Sequence, residues 1–105
     1  MPVTPDQMHT QIDAAAYGLE KMSVKEREQK PHEQFVENYN MLRSLAMEST
    51  PSADQRRWPP AVTIHRPAMG IPSANASYAE ILSYLKQMLA ILSESVEPPV
   101  GGFLG

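Results

Sequence analysis

The sequence predicts an all-α fold, an irregular bundle of three main helices joined by a long extended crossover. Apolar residues recur every three or four positions in three stretches, capping patterns mark helix starts, and a proline-rich section separates the second stretch from the third. We predict helices over about 5–22, 31–49 and 78–95. The 105 residues suit one domain. It is placed at about 1–97, with the crossover over 50–77 and a C-terminal tail over 98–105.

The first helix begins at a recognisable cap. Thr4 precedes a proline, and Gln7 follows three residues after Thr4, which is the spacing of a capping box. The apolar residues that follow share one helical face: Met8, Ile12, Ala15, Ala16, Leu19 and Met22. This pattern is typical of an amphipathic helix whose apolar side faces a core.

The second helix is preceded by a break whose form stays open. Ser23 and Glu26 form a second capping box, and Pro31 follows a polar stretch. Either a short turn ends near Gln29 and a new helix starts at Pro31, or one helix kinks there; we favour the first, because proline suits a first helical turn. The helix then presents one apolar stripe, made of Phe35, Tyr39, Leu42, Leu45 and Ala46.

The crossover contains five prolines, at positions 51, 59, 60, 67 and 72. Residues before proline are pushed out of the helical region, so the Trp-Pro-Pro run at 58–60 is predicted to be extended. Residues 62–64 are β-branched, but no partner strand is evident in the sequence. We expect five large apolar residues to pin this long connection to the helices: Trp58, Val62, Ile64, Met69 and Ile71.

The last helix begins at a third capping box, formed by Ser77 and Glu80, and is apolar over more than half its circumference. The other two helices offer small residues and one narrow stripe, so part of this surface is predicted to stay uncovered. We therefore predict a two-fold homodimer. Its interface residues are Ile81, Leu82, Leu85, Met88, Leu89 and Leu92. In the alternative, the crossover and the Val100–Leu104 tail cover the same residues in a monomer.

Catalytic and cofactor motifs are lacking in the sequence. There is no cysteine, no nucleophile elbow and no phosphate-binding glycine loop. His9 with Asp13 and Glu28 with His32 have the four-residue spacing of metal-binding pairs, but we favour the simpler interpretation of a solvated helix surface. We expect no catalytic residue, no cofactor and no metal.

One segment combines basic and aromatic residues that suit contact with a ligand or partner. These residues are Arg56, Arg57, Trp58, His65 and Arg66. Arginine beside tryptophan can grip a phosphate or stack on a base, which would give weak nucleic-acid binding through the three arginines. We favour the other interpretation, in which Trp58 packs under the crossover and the arginines pair with acidic helices.

Charge and hydropathy narrow the remaining function classes. A net charge of -3 argues against a general nucleic-acid binder. The sequence shows no signal peptide and no apolar stretch long enough for a membrane span, so we expect a cytoplasmic protein. The leading hypothesis is a non-enzymatic helical interaction or assembly module that self-associates, with an unidentified protein partner as a further option. A ligand-binding or enzymatic protein is the alternative, with its pocket lined by Tyr17, Tyr39, His65, Arg66 or Trp58.

Overall fold

The computed structural model describes residues 3–95, and in this part of the chain it shows an all-α fold with three main helices, as predicted. The elements are α1 (Pro5–Glu20), α2 (Val24–Arg27), α3 (Glu33–Ser49), β1 (Ile64–His65), β2 (Ser73–Ala74) and α4 (Tyr78–Ser93). A short 3₁₀ turn, Gln55–Arg57, follows α3. The predicted tail, including Val100–Leu104, lies outside the described residues.

Capping side chains fix the starts of α1 and α4. Thr4 Oγ1 accepts from the Gln7 N–H at 3.2 Å, and the Gln7 side chain accepts in return from the Thr4 N–H at 3.0 Å. Ser77 and Glu80 form the same reciprocal pair at 3.2 and 3.0 Å. Both starts are therefore where the capping boxes predicted them. The ends fall two residues earlier than predicted, at Glu20 and Ser93.

The break before α3 separates two helices, so the prediction of a new helix is confirmed over that of a kink. The position of its start was wrong by two residues, because His32 and not the residue before Pro31 is the N-cap. His32 Nδ1 accepts from the Phe35 N–H at 3.2 Å. Pro31 is buried just before this cap.

The three long helices pack around one core. Aromatic rings of α3 contact those of α4 in the same order along both helices. The ring centroids of Phe35 and Tyr78 are 5.0 Å apart, and those of Tyr39 and Tyr84 are 6.2 Å apart. These two helices are therefore parallel. α1 runs antiparallel to α4, since His9 near its start lies 3.4 Å from Ser93 at the end of α4, and Glu20 at its end pairs with Lys86 at 3.0 Å. The core is filled by Met8, Ile12, Ala16, Leu19, Val36, Tyr39, Leu42, Ala46, Ile81, Leu85, Met88 and Leu92, among others.

Two expectations for the crossover were wrong. The extended segment does have a partner strand, because β1 pairs antiparallel with β2, Ile64 opposite Ala74 and His65 opposite Ser73. Strands of two residues are too short to leave a periodic signal in a sequence. Trp58 and Val62 are buried and Ile64 is partly buried, as expected. Met69 and Ile71 instead are 89% and 86% exposed and pin nothing to the helices.

Candidate interaction surface

The predicted dimer residues on α4 lie mostly within the core of the single chain. Ile81, Leu82, Leu85, Met88 and Leu92 are buried, and Leu89 is partly buried. The small side chain of Ala16 is itself buried, and such residues let helix axes approach closely. α1 and α3 thus cover more of α4 than the sequence argument allowed. The oligomeric state itself stays a prediction.

The three arginines of the crossover each have an acidic partner. Arg57 Nη1 donates to Glu94 Oε1 at 2.9 Å. Hydrogen bonding to Arg57 lowers the pKa of the Glu94 carboxyl. Arg66 contacts Glu33 on α3. Arg56 forms a local pair with Asp54 at 3.1 Å; the pKa of the Asp54 carboxyl is lowered by that hydrogen bond. Arg57 and Arg66 thus pair with acidic residues of the helices, as in the favoured interpretation, whereas the partner of Arg56 lies in the crossover itself.

Trp58 and His65, the aromatic and histidine members of the same set, differ in burial. Trp58 is only 6% exposed, so its ring packs in the core and has no free face for stacking on a base. His65 lies exposed on β1. The five residues suggested as a contact surface therefore do not form one continuous site.

The residues of the alternative ligand pocket are also not brought together. A cavity of about 20 Å³ lies between α1, α3 and α4 and is lined by Ala15, Phe35, Asn38, Tyr39, Leu42, Ile81 and Leu85. A volume of this size holds about one water molecule, whereas small-molecule sites are typically ~300–1,000 Å³. A shallow, open depression of about 570 Å³ on the outer face of α1 includes Tyr17 but none of the other four.

Tyr39 is the one member of that proposed pocket with a strongly altered titration. Its hydroxyl donates to the Pro60 carbonyl at 2.9 Å, and burial raises the pKa of the phenol well above its usual range. The side chain thus acts as a neutral hydrogen-bond donor that holds the crossover. Between residues 3 and 95, no group of three acidic or histidine side chains is arranged to hold a metal ion.

The first part of the crossover, residues 58–62, is held tightly against α3; we call it the clamped segment. The Asn40 side chain makes two hydrogen bonds with the Val62 backbone. Asn40 Nδ2 donates to the Val62 carbonyl at 2.8 Å, and Asn40 Oδ1 accepts from the Val62 N–H at 2.9 Å. Arg43 Nε donates to the Pro59 carbonyl at 2.6 Å. Proline has no N–H of its own, so a proline-rich segment offers mainly acceptors, and α3 supplies the matching donors.

The second part, residues 66–72, joins β1 to β2 and projects from the helices; we call it the hairpin tip. Gly70 has φ +111°, which side-chain-bearing residues rarely adopt, and the position of a β-carbon there would lie 3.6 Å from Pro67 Cγ. The loop thus folds back on itself. At the base of the loop, the Asn75 backbone N–H donates to the Thr63 carbonyl at 2.9 Å and so extends the pairing of β1 with β2.

Met69 and Ile71 make the hairpin tip the candidate interaction surface. The other large apolar side chains that are exposed in residues 3–95, namely Tyr17, Val24 and Met41, lie apart on separate helices. Isolated exposed apolar residues are normal, whereas neighbouring ones on a projecting loop suit contact with a partner. The sequence pattern did not reveal this site, because large apolar residues in a long connection predict contact with the core.

Comparisons with known proteins add no assignment: the chain matches no protein-family model, no curated protein and no solved structure. Each helix that the structure describes is too short or too polar to cross a bilayer.

Proposed function

We propose that this chain is a non-enzymatic protein-interaction module that binds its partner through the hairpin tip. The observation that carries the proposal is the exposure of Met69 and Ile71, two positions apart on a loop that no other segment within residues 3–95 covers. Burying two such side chains on binding would contribute about 1.5–3 kcal/mol each.

The way the loop is held supports the proposal. Prolines 67 and 72 restrict its two arms, and Gly70 permits the turn between them. The paired strands and the contact between Arg66 and Glu33 fix its base to α3. A loop that is already ordered loses less conformational entropy on binding, which raises affinity.

The size of the tip indicates the shape of the partner. A stable interface buries roughly 800 Å² on each side, far more than two side chains supply, so the partner must enclose more of the hairpin tip than these two residues. A projecting pair of apolar side chains fits a concave apolar pocket on another protein. Met69, with its flexible thioether chain, adapts readily to such a pocket.

Self-association remains a separate prediction that this surface does not explain. A second copy would have to displace α1 or α3 to reach most of the predicted α4 residues, and Leu89 is the member that stays partly exposed. Sedimentation equilibrium at micromolar concentration tests it. A single species at the chain mass of 11.7 kDa would refute self-association, whereas a dimer that Leu89→Ser dissociates would restore the α4 interface.

Site-specific photocrosslinking tests the proposed surface. A photoreactive residue replaces Met69 in one protein and the exposed helical Met41 in a control, and each is irradiated in a cell extract. We expect position 69 to yield a discrete adduct that excess unlabelled wild-type chain abolishes. The double variant Met69→Ser, Ile71→Ser is expected not to compete. Equal adducts from both positions, or equal competition by the double variant, would contradict the proposal.

A further inference from the structure

The cap of α3 differs chemically from those of α1, α2 and α4. Those three helices begin with a hydroxyl side chain, from Thr4, Ser23 or Ser77, which does not titrate near neutral pH. α3 begins with His32, whose Nδ1 accepts from the Phe35 N–H at 3.2 Å. Only an unprotonated ring nitrogen can accept a hydrogen bond. We propose that His32 is a pH-sensitive cap that weakens the start of α3 when it is protonated.

Protonation acts on this cap in two ways that add. The imidazolium ring has two donors and no acceptor, so the Phe35 N–H loses its partner. The new positive charge also lies at the N-terminus of a helix of 17 residues, where the helix dipole favours negative charge. The stabilisation by the cap is therefore present while the ring is neutral and is lost when acid protonates it.

Several elements meet at this cap. The Phe35 ring packs edge-on against Tyr78 at 5.0 Å, and the Tyr78 N–H donates to the Gln29 carbonyl at 3.0 Å. Glu33, the first residue of α3, holds Arg66 at the base of the hairpin tip. A looser first turn of α3 would therefore loosen the attachment of the hairpin and of the start of α4 together.

The charges of the surrounding elements are mixed in sign. α3 contributes Glu33 and Glu37, the preceding connection contributes Glu28 and Lys30, and the hairpin contributes Arg66 and the titratable His65. α4 contributes Tyr78, whose ring packs against Phe35, and carries Glu80 in its first turn. Arg66 is engaged by Glu33 and its pKa is raised by that hydrogen bond, so it stays charged throughout the range in which histidine titrates. The hydrogen bond from the Phe35 N–H is broken when His32 Nδ1 gains a proton.

Thermal unfolding of the full chain at pH 7.5 and pH 5.0 tests the proposal, with two variants at this position. Asparagine is a good cap that does not titrate, and alanine is not a cap. We expect the Tm of the wild type to match that of His32→Asn at pH 7.5 and to fall below it by roughly 4 °C at pH 5.0. We expect His32→Ala to be less stable than the wild type at pH 7.5 and to approach it at pH 5.0.

Two further measurements isolate the His32 proton from other titrations. His65→Asn removes the exposed histidine of β1 and should keep the wild-type change in Tm between the two pH values. In nuclear magnetic resonance spectra, the Phe35 amide shift should titrate together with the His32 ring. A difference between the wild type and His32→Asn that is the same at both pH values would overturn the proposal, as would a Phe35 amide that does not follow the ring.

Discussion

Two parts of the crossover, the clamped segment and the hairpin tip, have similar compositions and different environments; we refer to them below as its two halves. The clamped segment and the hairpin tip each contain two prolines and two large apolar residues, yet Val62 is 2% exposed and Ile71 is 86% exposed. The difference lies outside the crossover. α3 presents Tyr39, Asn40 and Arg43 to the backbone of the clamped segment. The hairpin tip has passed the start of α3 and, within residues 3–95, is held at its base.

This comparison shows that burial of an extended segment depends on partners for its backbone as well as on its own apolar side chains. A buried carbonyl without a donor costs about 1–3 kcal/mol, enough to offset the burial of one aliphatic side chain. Polar residues on the inward side of α3 satisfy this need for residues 58–62. The backbone groups of the loop at 66–72 remain in water, which supplies their hydrogen-bond partners.

Replacement of Trp58 is expected to have the largest effect. Trp58→Ala removes the main anchor of the clamped segment from the core and should cost about 3–5 kcal/mol, which lowers the Tm by roughly 10 °C or more. Trp58→Phe is a matched control that keeps an aromatic ring and removes an indole N–H with no hydrogen-bond partner among the described residues. We expect it to lose much less. A Tm for Trp58→Ala within a degree or two of the wild type would show that the clamp does not depend on this anchor.

Asn40 tests whether the polar side chains of α3 create the clamp. Asn40→Ala removes both hydrogen bonds to Val62 and leaves a backbone N–H and carbonyl without partners, so we expect a loss of about 1–3 kcal/mol in unfolding free energy. Asn40→Asp keeps an acceptor for the N–H and places a second oxygen near the carbonyl, so it should also be destabilising. Chemical denaturation measures both. If both variants were as stable as the wild type, our explanation of the difference between the two halves would fail.

The sequence predicts the parts of this fold that depend on local chemistry. The starts of α1 and α4 follow from side chains three residues apart, and the apolar stripes follow from the helical period. The cap at His32 is less visible, because histidine is a rare N-cap and Pro31 offered a nearer signal. The hairpin depends on two pairs of residues, one eight and one ten positions apart, and no local pattern marks such a short ladder. The exposure of Met69 and Ile71 depends in turn on that hairpin.

The junction between the crossover and α4 gives a smaller, position-specific effect. Ser77 Oγ accepts from the Glu80 N–H at 3.2 Å, so Ser77→Ala should cost about 0.5–2 kcal/mol. Ser73 lies exposed in β2, outside the helix, and Ser73→Ala should cost much less. Equal losses in thermal unfolding would mean that the cap and the strand contribute alike to the end of the crossover.

The smallest expected effect concerns the hairpin tip and sharpens the comparison most directly. Ile71→Ser and Val62→Ser make the same kind of change in the two halves of the crossover. Because Ile71 is already in water, we expect its replacement to change the unfolding free energy by no more than about 0.5 kcal/mol, and the same holds for Met69→Ser. Val62 is buried in the core, so Val62→Ser should be destabilising by about 1–3 kcal/mol through lost apolar burial and a buried hydroxyl.

The unfolding of these three variants separates two explanations of the exposed residues. If Met69→Ser and Ile71→Ser keep the wild-type Tm, the single chain gains no stability from either side chain, and their apolar character is left for contact with a partner. A Tm loss comparable to that of Val62→Ser would mean that the tip packs on the folded chain in solution. In that case the proposed interaction surface would be wrong, because its two anchors would belong to the core after all.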